Sequence, residues 1–230
     1  LGDGANDVLV MSGTQGISAG DGPDTIDVSG YVDGQVNTSL GDDSVTLGNG
    51  TGNRINTSGG SDTVKSGADT MGIYLGDGLN ELVQVDGKID GKLSATGGAA
   101  RAEVTGKINA TTSLGAGDDV LLVNGRTEKI YLGAGANRAE IGDIVNGELV
   151  AQGGNDVIRV ARSVNAKSSL GAGDDDMRVG INTKAINLGG GNNRLEVGGD
   201  IDGALTVSAP SGDDTIRVAG AINSGSDTGA

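Results

Sequence analysis

One short pattern returns about every 19 residues from end to end of this chain: glycine, any residue, Asp or Asn, any residue, aliphatic. The glycine falls at Gly4, Gly22, Gly41, Gly60, Gly78, Gly98, Gly117, Gly135, Gly154, Gly173, Gly191 and Gly212. Two residues on stand Asn6, Asp24, Asp43, Asp62, Asn80, Ala100, Asp119, Asn137, Asp156, Asp175, Asn193 and Asp214. Two further on comes an aliphatic such as Val8, Ile26, Val45, Val64, Leu82 or Leu121. In this alignment only Ala100 breaks the Asp/Asn column. A fixed period of this length is the mark of stacked repeats, in which no single repeat buries its own apolar face and its neighbours complete the core.

The residues after each corner alternate with period two. Ile158-Arg159-Val160, Met177-Arg178-Val179, Leu195-Glu196-Val197 and Ile216-Arg217-Val218 each place aliphatics on one side and a charge on the other. That is the signature of a half-buried strand, and no apolar stripe of helical period competes with it. The expected fold is all-β: a parallel β-solenoid, of β-roll or β-helix type, with about twelve coils of about 19 residues. Residues 1–230 are expected to form a single continuous solenoid, a segment of a longer chain or a processed product. At roughly 4.8 Å per coil the rod would be about 58 Å long.

A second period lies above the first. Middle coils carry Val32-Asp33-Gly34, Ile89-Asp90-Gly91, Val145-Asn146-Gly147 and Ile201-Asp202-Gly203. Third coils carry Ile55-Asn56, Ile108-Asn109, Val164-Asn165 and Ile222-Asn223, and first coils Ile17-Ser18, Ile73-Tyr74, Ile130-Tyr131 and Ile186-Asn187. The chain therefore reads as four three-coil superrepeats of about 57 residues, closed by a polar tail, 224–230, expected to fray. The Asp-Gly and Asn-Gly pairs signal tight turns.

Composition limits the core. Gly accounts for 45 of 230 residues, there is no Phe, Trp, His or Cys, and there are three Tyr. Large aromatics usually supply much of a core's buried area, so this core must be thin and aliphatic. The net charge of −15 disfavours nucleic acid and anionic membrane and favours cations. No apolar run approaches the 18 residues that a membrane helix needs, so no membrane insertion is expected.

The corner carries the chemistry. Glycine allows the sharp reversal, and the Asp after it presents a carboxylate to the one stacked above. Two bare charges about 5 Å apart repel by roughly 3 kcal/mol at an effective dielectric near 20. Several corners double the carboxylate: Asp42-Asp43, Asp118-Asp119, Asp174-Asp175 and Asp213-Asp214. Calcium, which accepts six to eight oxygens in flexible geometry, is the cation such a column suits best. The candidate metal ligands are Asp24, Asp42, Asp43, Asp62, Asp118, Asp119, Asp156, Asp174, Asp175, Asp213 and Asp214. The same residues also suit a metal-free corner, in which Asp and Asn bond stacked backbone groups, Asn dilutes the repulsion, and Arg101, Arg138 and Arg194 offset it.

Gly20-Asp21-Gly22-Pro23-Asp24-Thr25-Ile26 and Gly115-Ala116-Gly117-Asp118-Asp119-Val120-Leu121 resemble the G-x-G-x-D-x-U nonapeptide of RTX calcium β-rolls, and Gly153-Gly154-Asn155-Asp156-Val157-Ile158 is similar. The resemblance implies secretion and calcium held by Asp side chains and turn carbonyls. Repeat-containing bacterial adhesins and surface-layer proteins with diverged repeats are similar too.

The function expected is therefore that of an extracellular, cell-surface structural or adhesive protein: a stalk, surface layer or filament. Its expected partners are further copies, end to end or side by side, and cell-surface polysaccharide. No enzymatic activity is expected, because every coil resembles its neighbours and no His is available. The alternative is a carbohydrate-active β-helix enzyme of lyase or epimerase type, which would need a cleft, whereas only short insertions occur near Gly34, Gly91 and Gly203. An ice-binding Thr face is a third option, with Thr25, Thr63 and Thr215 as its scattered candidates.

Overall fold

The computed structural model describes residues 1–207 and 212–224; positions 225–230 of the polar tail lie outside the described residues. The chain winds as a parallel β-solenoid. Successive coils contribute strands to two sheets, one of twelve strands and one of eleven, so the chain completes about eleven turns. No helix occurs among the described residues.

Each coil has three sides. The first holds a strand of usually four residues, such as Thr25–Val28, Ser44–Leu47 and Thr63–Ser66. These stack in register, Ile26 on Val45 and Val45 on Val64. Period-two alternation turns Ile26 and Val28 inward and leaves Thr25 and Asp27 exposed. The second side is often a two-residue strand, such as Val36–Asn37 or Ile186–Asn187, in the eleven-stranded sheet. The third side is a single residue per coil, the bridging column Thr14, Val32, Thr51, Thr70, Ile89, Ile108, Thr127, Val145, Val164, Thr183, Ile201 and Ile222. Main-chain hydrogen bonds run from coil to coil: Ser44 N–H donates to Asp24 O and Thr63 N–H to Asp43 O, both at 2.8 Å.

The core is a set of aliphatic columns between the three sides. Ile26, Val32, Val36, Val45, Ile55 and Val64 are fully buried. Where a column narrows, Ala102 and Ala139 stack on either side of Leu121. Parallel strands covered by neighbours in this way need no aromatic filler, which is how the chain builds a core without Phe or Trp.

The superrepeat is visible in the bridging column. Thr14, Thr70, Thr127 and Thr183 recur at about 57-residue intervals, each followed one coil later by Val32, Ile89, Val145 or Ile201. The structure corrects the expected third coil. Ile108, Val164 and Ile222 occupy the bridging column, but their partner in the first superrepeat is Thr51, while Ile55 pairs with Val36 in the second sheet. The local pattern around Ile55-Asn56 imitates Ile108-Asn109 four residues out of step.

A second correction concerns the corner at Gly78. Thr63 pairs with Leu82 and Val64 with Val83, so Glu81, and not Asn80, follows Asp62 in the acidic column. The corner is one residue longer here, and Leu79 and Asn80 are exposed. A one-residue slip exchanges the two faces of a strand. Register with the coils on either side turns Val83 and Val85 into the core and Leu82 away from it.

Candidate functional site

The glycine corner joins the second sheet of each coil to the first. Its backbone explains the glycine: Gly60 has φ 126°, and a Cβ there would overlap the carbonyl of Gly41 in the coil before. The residue two positions on then points inward along the rod. Asp24, Asp43, Asp62, Glu81, Asp119, Asn137, Asp156, Asp175 and Asn193 are all at most 3% exposed. Asp214 is half-buried.

These side chains form a hydrogen-bonded ladder, interrupted at Ala100, whose methyl group cannot accept the Glu81 N–H. Each reaches back one coil and accepts the backbone N–H of its counterpart. Asp24 N–H donates to Asp43 Oδ1 at 2.8 Å, Asp43 N–H to Asp62 Oδ1 at 2.9 Å, and Asp62 N–H to Glu81 Oε2 at 3.0 Å. Ala100 N–H donates to Asp119 Oδ1 at 2.7 Å, and Asp156 N–H to Asp175 Oδ1 at 2.8 Å. Ala100, which breaks the column in sequence, still donates to it.

The neighbouring carboxylates form a second, exposed ladder of opposite sense. Asp42 Oδ1 accepts from Ser61 N–H at 2.8 Å, Asp118 Oδ1 from Ala136 N–H at 2.7 Å, and Asp174 Oδ1 from Asn192 N–H at 2.6 Å, each donor lying one coil ahead. Asp213 N–H donates to Asn192 Oδ1 at 2.8 Å. Doubled acidic corners thus tie the chain in both directions along the rod axis.

The inner ladder leaves one oxygen of each acid over. The second carboxylate oxygens of Asp24, Asp43, Asp62, Glu81, Asp119, Asp156 and Asp175 are buried and accept no hydrogen bond. The Asn coils show what that position faces. Asn137 Nδ2 donates to Gly135 O at 3.0 Å, and Asn193 Nδ2 to Gly191 O at 3.3 Å. Asp43 and Asp62 also have the hydroxyls of Thr38 and Thr57 beside them, but in the Asp119 and Asp175 coils the same position is an oxygen, so an acceptor faces an acceptor. A proton or a cation between them would relieve that contact, and burying a carboxylate without such a partner is costly.

The titration of the column follows from this burial. Loss of solvent pushes the Asp62 carboxyl up to about 6, against the opposing pull of the Thr57 hydroxyl. It pushes Glu81 and Asp119 each to about 7 and Asp175 to about 6. Asp43 and Asp156 move upward for the same reason.

Among the described residues no three acidic side chains converge on one point as a group able to hold a metal. The residues suit a cation only as donors of one carboxylate oxygen from each acidic coil. Nor do the arginines offset the buried column. Arg101, Arg138 and Arg194 lie on the outer face of the twelve-stranded sheet and pair with Glu103, Glu140 and Glu196 on their own strands. Glu81 is the column member that sequence reasoning missed; the signal was its place directly before the alternating run Leu82-Val83-Gln84-Val85.

The stacked Asp-rich corners make this a β-solenoid repeat protein compatible with a β-roll. Compared with known proteins, the chain matches no family model, no curated protein and no solved structure.

Proposed function

We propose that this chain is a rod-forming segment of an extracellular structural or adhesive repeat protein, built as part of a stalk, surface layer or filament. One observation carries the reading: the same side-chain-to-backbone ladder ties coil to coil along the rod. That arrangement makes a spacer, because each coil is held by its two neighbours and length is set by coil number. The net charge of −15 favours a cation-rich setting. Side-by-side or end-to-end association of such rods extends the proposal.

A calcium-loaded corner is part of the same reading, favoured by seven buried acidic oxygens in the corner column without a hydrogen bond. Calcium would share the orphaned oxygen of one coil with the carbonyl opposite it, in a site of the weak, extracellular kind. Negative-stain electron microscopy and sedimentation test the rod: elongated particles are expected, and compact spherical ones refute it. Metal analysis with melts before and after chelation tests calcium. A calcium-dependent rise in Tm supports it, and identical melts with no bound metal leave the column to protons alone.

A further inference from the structure

The regularity also fails in the second sheet around Gly52. Among the described residues, strands Thr51–Asn56 and Thr70–Gly76 are the longest of the eleven-stranded sheet, and their pairing carries an irregularity between Thr51 and Arg54. This is where the superrepeat departs from its pattern. Two adjoining hollows open on the surface there, of about 380 Å³ and about 290 Å³, and both are lined by Gly52 and Met71.

The lining has a definite chemistry. Tyr31, 44% exposed, lays its hydroxyl end over Gly52, where a Cβ would overlap it. Tyr74 packs its ring edge against Gly72, and the Arg54 guanidinium sits 5.6 Å from the Tyr74 ring centroid. Met71, 46% exposed, stands between the hollows as a flexible apolar divider. Asn49, Asp69 and Asp90 add polar groups to the first hollow, and Asn53 to the second.

In the first hollow the charges are matched. Lys88 Nζ lies 2.7 Å from Asp90 and 3.7 Å from Asp69, and Asn109 Nδ2 donates to Asp90 Oδ1 at 2.6 Å. Arg54, exposed at the second hollow, lies against the Tyr74 ring and makes no ion pair among the described residues. An anionic ligand would meet Asp69 and Asp90, a lysine already paired to both, and a protein of net charge −15, against Arg54 alone. An uncharged ligand with an apolar face and a hydroxyl rim would meet two aromatic surfaces, a thioether, and amide and carboxylate acceptors, the mix of apolar walls and few polar groups that orients small ligands.

The geometry points to this two-lobed groove as a binding site for an uncharged glycan chain, with Tyr31 and Tyr74 as stacking surfaces and one sugar ring in each lobe. The inference rests on the adhesive form of the function proposed above and gives that adhesion a ligand class. Tyr131 is the built-in control. It lies three coils from Tyr74 in the same column, outside the groove, and its hydroxyl donates to Glu148 at 3.1 Å.

With three Tyr and no Phe or Trp, a ring carbon–proton NMR spectrum of this chain contains signals from three residues alone. The experiment titrates the folded chain with maltohexaose, cellohexaose and mannohexaose, and with hexagalacturonate as the charged comparator. At least one neutral oligosaccharide is expected to shift Tyr31 and Tyr74 saturably while Tyr131 stays in place. Gly52→Ala meets only the end of the Tyr31 side chain and no backbone. It should weaken binding by about tenfold with the Tm unchanged, as expected when one stacking ring is displaced. No shift with any neutral oligosaccharide, equal shifts at Tyr131, or tighter binding of hexagalacturonate would overturn the inference. Sedimentation of the same sample reports the rod independently, so failure of glycan binding and failure of the rod reading are separate results.

Discussion

Asp43 donates its backbone N–H to Oδ1 of Asp62, 2.9 Å away and 19 residues later, while the other oxygen of Asp62 lies buried without a hydrogen bond of its own, the Thr57 hydroxyl beside it. That half-satisfied carboxylate, repeated along the rod, is both the stitch between coils and a store of unfavourable charge. Its two oxygens make opposite demands, which pH and substitution separate.

Stability in chelated buffer should fall as pH rises. In the unfolded chain these carboxyls titrate near the ordinary value of about 4. In the fold Asp62 and Asp175 titrate at about 6 and Glu81 and Asp119 at about 7. Between those limits the folded chain holds more protons than the unfolded one. The stabilisation is complete below the unfolded value and is lost as pH rises through 6 to 7. Melts at constant ionic strength should give a Tm at pH 5 above that at pH 8 by about 5 °C or more. A Tm that falls on acidification over this range would contradict the buried column.

Asp119→Asn should stabilise the protein at pH 8 and do little at pH 5. The amide keeps Oδ1 for Ala100 N–H and turns the orphaned oxygen into a donor, the arrangement that Asn137 already shows. The expected gain is about 1 kcal/mol, or roughly 2–4 °C in a domain of this size. Asp119→Ala removes the acceptor and strands that N–H, at a cost of about 1–3 kcal/mol. Paired denaturant titrations of the two variants check both signs.

Calcium should act at high pH and fade at low pH, because cation and proton compete for the same oxygen. Added calcium is expected to raise the Tm at pH 8 and to leave it nearly unchanged at pH 5. Equal effects at both values would place the cation away from the buried column.

Gly60→Ala should destabilise the rod by about 2 kcal/mol or more, through a strained φ and the overlap with the Gly41 carbonyl. A Cβ at Gly2 would meet nothing within 4 Å, so Gly2→Ala should stay within about 0.5 kcal/mol of wild type. Urea unfolding of the two variants is a direct comparison.

Much of this architecture is legible in the residues themselves. The Gly-x-Asp corner and the inward pairs such as Ile26 and Val28 imply a stacked parallel β-solenoid, because a corner that recurs at constant spacing can be buried only against its own copies. The carboxylate column was equally readable, and its like charges pointed to some neutralising partner.

Register and hydrogen-bond direction were decided only by the folded coils. Leu82-Val83-Gln84-Val85 offers two acceptable faces. The neighbours Val64 and Ala102 select Val83, and with it Glu81 in place of Asn80. Ile55-Asn56 copies a motif that belongs on another side of the coil, and stacking on Val36 assigns it to the second sheet. The grouping of Tyr31, Arg54, Met71 and Tyr74 was hidden because each is an isolated departure in its own coil, joined only when coils lie side by side. Sequence by itself determined that the coils stack and which residue types line each column, since period and polarity are local properties of the chain. The tertiary structure decided which side chain meets which backbone group, because those contacts span a full coil and depend on how each corner absorbs an extra residue.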